Sequence, residues 1–260
     1  MKMKTADWWT ACNSPYTGCP NLAIKPENRS SGCRSCWLPG YLDRLPVIHH
    51  GYGDRFARPA SEVILHPERL AKCLRARKPQ RYGWILGEPA EVARLHPEYL
   101  DKCADGALDS PRHGYGVPTS DPAGVVPWAR GYTSIVPQNW IWLISASTQA
   151  ELDARAPHAA ELARMGWRVG LHLEPLLSAI DLSPGWEGRG SVEANLRDTK
   201  MWSWVAIGAP KGHTPSEGEE LSWYRNIRGQ CNDAGVKFWC KSPMTLDGRE
   251  HRELPEGWPS

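Results

Sequence analysis

The chain has 260 residues, 41% hydrophobic and 23% charged, with a formal net charge of +2. That length allows one α/β barrel or sheet with a well-buried core, and so small a charge gives no support for a surface that coats duplex nucleic acid. No stretch is long and apolar enough to span a bilayer, and Met1 to Thr5 runs into Asp7-Trp8-Trp9 without the apolar core of a signal peptide. The expectation is a cytoplasmic protein without a membrane partner. In such a reducing compartment clustered cysteines are more often metal ligands than disulfides, and eight are present. Fourteen Trp against two Phe is an imbalance with no evident local cause.

The first stretch that carries chemistry is Thr17-Gly18-Cys19 followed by Gly32-Cys33-Arg34-Ser35-Cys36-Trp37, with thirteen residues between Cys19 and Cys33. Three thiolates this close, two of them in a C-x-x-C pair, can share one metal centre because a tight turn brings the sulfurs together. A [4Fe–4S] cluster on three cysteines leaves one iron open to a small molecule. A structural zinc wants four closed ligands, and Cys12 is the candidate for the fourth. Spacing alone leaves the two readings level. Cys73, Cys103, Cys231 and Cys240 fall on predicted helices or a strand and read as packing residues. The adjacent His49 and His50 point in different directions on any regular element and read as surface histidines.

Farther along, residues 66–73 recur as residues 96–103 with six identities in eight positions. Each copy starts a helix with Pro at its first position and Glu in its first turn. The thirty-residue interval matches one βα unit and suggests a local duplication. Trp84-Ile85-Leu86 reads as a strand followed by Gly87-Glu88, in a unit short of a helix. Residues 105–137, rich in Gly, Pro and Ser, read as a long loop of the kind that serves as an active-site lid. Residues 139–145 are a buried strand, too apolar to alternate. Thr148 and Glu151 have capping-box spacing for a helix that ends at Gly166, with a break or kink at Pro157. Residues 167–173 are the next strand, with Glu174-Pro175 at its carboxyl end. Residues 201–208 are another, and Thr214-Pro215-Ser216-Glu217 is a second capping box, opening a helix closed by Gly235. Residues 236–241 form a last strand before an irregular tail at 242–260. The alternation is that of a parallel α/β architecture.

Several pieces stand in the order of a known family: Asn13-Ser14-Pro15-Tyr16-Thr17-Gly18-Cys19, Gly32-Cys33-Arg34-Ser35-Cys36, Asn139-Trp140-Ile141-Trp142-Leu143, Glu174-Pro175-Leu176-Leu177 and Trp204-Val205-Ala206-Ile207-Gly208. The chain resembles the phage-associated family of unknown function whose members carry a three-cysteine N-terminal motif and radical-SAM-like barrel signatures. It departs from the pattern in its longer first cysteine gap, in Ser35 where an aromatic is usual, and in Gly208-Ala209-Pro210-Lys211-Gly212 where a Gly-Glu-Ser element is expected.

The resemblance implies an α/β partial (β/α) TIM-like barrel of the radical SAM type, as one domain over 1–260 with a cluster loop at 12–37. It implies Cys19, Cys33 and Cys36 as ligands of a [4Fe–4S] cluster, with S-adenosyl-L-methionine (SAM) as the second cofactor. Trp37, Gly87, Glu88, Ser145, Ser147 and Glu174 are then the candidate cofactor contacts. The implied partners are an external electron donor and a modified nucleoside or DNA base, in the host cytoplasm for a phage protein. The narrowest implied activity is isomerisation of an amino-acid-substituted thymidine during viral DNA hypermodification. The alternative is a zinc-stabilised nucleic-acid-binding module without catalysis, its tryptophans stacking on bases.

Overall fold

The computed structural model describes residues 7–36, 38, 61–182, 201–241 and 245–260; Trp37, His49 and His50 lie outside the described residues. After the short strand β1 (Tyr16–Thr17), two 3-10 turns lead to a one-turn helix, α1 (Ser31–Arg34). Strand β2 (Ile64–Leu65) pairs antiparallel with β1. There follow α2 (Pro67–Arg75), β3 (Arg81–Gly83), α3 (Pro89–Leu95), α4 (Pro97–Asp109) and β4 (Gly114–Thr119). Next come α5 (Pro122–Gly131), β5 (Trp140–Ser145), α6 (Gln149–Arg164) and β6 (Arg168–Leu173). The series ends with β7 (Trp202–Ile207), α7 (Glu219–Ala234) and β8 (Lys237–Cys240).

Strands β3 to β8 form one sheet in sequential order, every neighbouring pair parallel. Sequential parallel order is the arrangement of a (β/α) barrel, and six strands instead of eight leave it partial. The α/β partial barrel expected from the sequence is the architecture observed.

A strand presents alternate residues to opposite faces, and here both faces are buried. Trp140, Trp142, Ile144, Val169, Leu171 and Phe238 belong to the core under the helices. Ile141, Leu143, Trp204, Ala206 and Trp239 belong to a second core on the other face, which Trp8 and Trp258 complete from the two ends of the chain. Trp8 has no exposed surface and lies edge-on to Trp9 at 5.0 Å and Trp204 at 5.6 Å, with Trp258 at 5.8 Å. Its space depends on Gly116, where a Cβ would stand 2.3 Å from the indole; Gly114 and Gly83 admit Trp258 and Trp9 in the same way. Part of the indole surplus thus has a physical account: Trp8, Trp9, Trp204, Trp239 and Trp258 fill the concave side, while Trp84, Trp128, Trp140, Trp142, Trp167 and Trp202 belong to the core under the helices.

Some local expectations are corrected. Residues 105–137 are not a lid loop, because they contain the end of α4, all of β4 and all of α5. The glycines of β4 make room for indoles. Pro122 is the first residue of a helix capped by Asp121, whose carboxylate accepts from Gly124 N at 3.0 Å. The unit after Leu86 does carry a helix, α3, and residues 84–86 lie beyond the end of β3. Pro157 sits inside α6, which continues to Arg164. The second capping box does not cap: α7 begins at Glu219, and Ser216 instead donates to Glu220 from its amide (2.7 Å) and hydroxyl (2.8 Å). In the tail, Trp258 is buried although no regular element holds it.

If indoles fill the half-barrel, Trp8→Ala costs about 3–5 kcal/mol of unfolding free energy, the range for truncating a fully buried aromatic. Urea titration followed by circular dichroism measures it, and an unchanged midpoint contradicts the packing described.

Candidate active site

Going up the concave face, the side chains change from indole to polar. The register places Ser145 beside His172, His172 beside Ala206, and Ala206 beside Trp239. Ala206 is small, and above this row a cavity of about 180 Å³ opens at the carboxyl ends of the strands. That is where a parallel α/β barrel gathers its loops. Cys19, Cys33 and Cys36 line one side; Gly87, Glu88, Ser145, Ser147 and Glu174 also line it, with His172 and Lys211. The remaining cysteines lie elsewhere, and Cys73, Cys103, Cys231 and Cys240 are buried in the core under the helices.

Two separate contacts seat the thiols. The first is backbone-to-backbone. Gly18 N donates to Leu86 O at 3.0 Å and Glu88 N donates to Gly18 O at 3.0 Å, so the segment before Cys19 continues the edge of the barrel beside Gly87. Neither glycine tolerates a side chain. Gly18 has φ +108° and a Cβ there would lie 1.9 Å from Glu62 O, while a Cβ on Gly87 would lie 2.9 Å from the Tyr16 ring.

The second contact holds α1. Ser30 accepts from Cys33 N at 3.4 Å, and Gly32 N donates to Glu151 Oε1 at 3.3 Å. The other oxygen of Glu151 accepts from Ser147 N at 2.7 Å. Thr148 does cap α6, accepting from Glu151 N at 3.4 Å. The capping-box glutamate, however, is turned toward the cysteine helix.

Glu88 lines the cavity with both oxygens engaged. Oε1 accepts from Thr119 Oγ1 (2.5 Å) and Ala90 N (3.3 Å); Oε2 accepts from Ser120 N (3.0 Å) and Ser120 Oγ (2.7 Å). Burial raises its pKa, and the four donors work against that rise. It joins the β3–α3 and β4–α5 turns. Glu174 is the opposite case. Burial alone would raise it, but His172 and Lys241 outweigh burial and hold it below the usual carboxylate range. Lys241 Nζ lies 2.5 Å from Glu174 and 2.9 Å from Asp7, and its pKa is raised because those carboxylates outweigh burial. His172 Nε2 is buried without a hydrogen bond among the described residues, 3.5 Å from Glu174 Oε2.

Cys19 is pushed up to about 12 by burial, with smaller contributions from Glu88, Cys33 and Cys36, and Cys36 is raised by burial and Cys33. Cys12 is also raised by burial, to about 11; it packs against the same small cluster of Leu38 and Leu86 as Cys19 and Cys36 but does not line the cavity. Among the described residues no three His, Cys, Asp or Glu side chains are drawn together as a ready-made metal-binding group.

Sequence reasoning missed His172, Lys241, Ser120 and Asn21. The first was legible in principle, since it stands two residues before Glu174 and so on the same face of its strand. Ser120 was hidden inside what read as a loop.

The fold and cavity thus define an α/β partial barrel with three cysteines at its mouth. Residues 4–253 match the family described as protein of unknown function (DUF5131), and the chain belongs to that family. No curated protein matches the chain. Among solved structures it is similar to a spore photoproduct lyase double mutant with bound AdoMet and dinucleoside spore photoproduct. That similarity has 13% identity and a TM-score of 0.48, covering 88% of this chain and 64% of that one. The chain thus spans less than two-thirds of that lyase.

Lys241→Met leaves Glu174 and Asp7 without their cation and costs about 2–3 kcal/mol near neutral pH. Because the folded carboxyl of Glu174 is depressed, its contribution is present above the unfolded pKa of about 4.3 and is lost as pH falls through the lower folded value. The deficit of the variant should therefore shrink below about pH 4. A deficit independent of pH contradicts the pairing.

Proposed function

We propose that the chain is an iron–sulfur enzyme of the radical SAM kind, with Cys19, Cys33 and Cys36 holding a [4Fe–4S] cluster and the cavity taking SAM. One observation carries this reading: of eight cysteines, these three, delivered by two independently seated segments, line one cavity at the carboxyl ends of a parallel partial barrel. The donor set fits. Among the described residues no imidazole or free carboxylate lies on their side of the cavity, and three thiols suit soft iron–sulfur ligation. A four-thiolate zinc would need Cys12, which does not line the cavity that the other three share.

Together, such a cluster and SAM supply one-electron cleavage of a sulfonium, read out as 5′-deoxyadenosine, with the electron taken from an external donor. The protein's part is placement and exclusion of water. Gly87 lets the Cys19 segment approach, and Glu88 fixes the turn beside it. Ser147 and Glu151 seat the cysteine helix. Ser145 and Glu174, with Lys211 at the rim, offer hydrogen bonds and both signs of charge to SAM and substrate. Trp37, next to Cys36, is a further candidate contact.

The substrate class we propose is a modified nucleoside or DNA base. The narrower activity is isomerisation of an amino-acid-substituted thymidine in phage DNA hypermodification. Its support is the family resemblance together with a wall bearing both a carboxylate, Glu174, and an ammonium group, Lys211, which suits a zwitterionic amino-acid group.

Anaerobic reconstitution should give about four irons and four sulfides per chain, and dithionite with SAM should then yield 5′-deoxyadenosine. Replacing Cys19, Cys33 or Cys36 by Ala should abolish cluster retention, whereas Cys12→Ala keeps it. A folded wild-type chain that takes up zinc but no iron and sulfide sinks the reading.

A further inference from the structure

Asn21 lies in the 3-10 turn Pro20–Ala23, two residues after Cys19. Its side-chain amide nitrogen is 3.7 Å from Cys33 Sγ and 3.4 Å from Ser120 Oγ. A primary amide has two N–H groups, so one can serve each acceptor. Ser120 Oγ in turn gives its single proton to Glu88 Oε2 at 2.7 Å. That leaves the Ser120 oxygen as an acceptor, which is what Asn21 requires. The reversed amide would ask Ser120 to donate twice and would set a carbonyl oxygen against a sulfur. Only one orientation satisfies the chain, and it aims an N–H at Cys33.

The far end of this chain does not give way. Glu88 is buried and holds four hydrogen bonds, and its own amide is bound to Gly18 O next to Cys19. Asn21 is therefore fixed from behind by a saturated carboxylate while its other N–H points forward at a sulfur.

We propose that Asn21 is a positioning residue that tunes the cluster, its N–H···S bond to Cys33 raising the reduction potential. The inference rests on the iron–sulfur reading above. Reduction adds negative charge to the cluster and its sulfurs, and a hydrogen bond to sulfur stabilises the more negative, reduced state. Ser120 and Glu88 act through Asn21 by holding its amide in that orientation.

The test reads a potential and not turnover. Wild-type chain, Asn21→Leu, Asn21→Asp and Ser120→Ala are reconstituted anaerobically, assayed for iron and titrated with dithionite under electron paramagnetic resonance. Asn21→Leu keeps the shape and removes the donor; it should retain full iron with a midpoint more negative than wild type. Asn21→Asp, which sets an anionic oxygen near the sulfur, should go further in the same direction. Ser120→Ala should shift less, with the same sign. An unchanged or more positive midpoint in Asn21→Leu at full iron content overturns the inference alone. If Asn21→Leu holds no cluster, Ser120→Ala decides: a negative shift supports the inference and an unchanged midpoint overturns it. A wild-type chain that binds no cluster overturns the proposed function, and this inference with it.

Discussion

A parallel sheet rolled only part of the way to a barrel has a concave face that no neighbouring strand covers. Everything else in this protein follows from how that face is filled. Eight-stranded barrels fill their interior with layers of branched side chains. Here the filling is delivered by chain ends: Trp8 and Trp9 from the N-terminal side and Trp258 from the C-terminal side, with Trp8 edge-on and Trp258 tilted against Trp204, which itself meets Trp239 edge-on. Indoles cover more surface per residue than any aliphatic side chain, at the cost of an N–H that needs a partner. Trp204 finds one, donating to Glu253 O at 2.7 Å. Trp8 and Trp258 do not among the described residues; Trp8 meets the rings of Trp9 and Trp204 edge-on, and Trp258 meets those of Trp8 and Trp204 at a tilt.

The same filling sets where chemistry can occur. Indoles occupy the lower part of the concave face, and the cavity opens where side chains shorten to Ser145 and Ala206. The N-terminal segment that supplies Trp8 and Trp9 emerges beside β3 and carries Cys19 to that opening. Asp7 and Glu174 meet at Lys241, which ties this segment to the last strand and to the far wall of the cavity. Plug, thiol loop and polar wall are thus joined by one ammonium group.

The strand pattern was legible because buried parallel strands are continuous apolar runs: residues 139–145, 167–173, 201–208 and 236–241 each contain an observed strand. Helix starts with Pro at the first position, at Pro67 and Pro97, were equally plain. What misled was glycine and proline where packing, and not chain reversal, demands them. Gly114 and Gly116 lie in a strand beneath indoles, and nothing local distinguishes them from loop glycines until Trp8 and Trp258 are in place. Of the site, the three cysteines were legible by spacing and family resemblance. Asn21, Ser120 and Lys241 were not, because their significance is a meeting of segments distant in sequence. Asn21 and Ser120 are 99 residues apart, and Lys241 is 67 residues from Glu174.

The order in which these parts leave the ribosome is the reverse of what their assembly needs. Cys19, Cys33 and Cys36 are translated early, yet their surroundings include Ser147, Glu174 and Lys211, and the tie through Lys241 arrives with the final strand. Until then the nascent chain carries three sulfurs with no seat. The wall of the cavity is therefore complete only after the last strand has been made, long after the three thiols that line it.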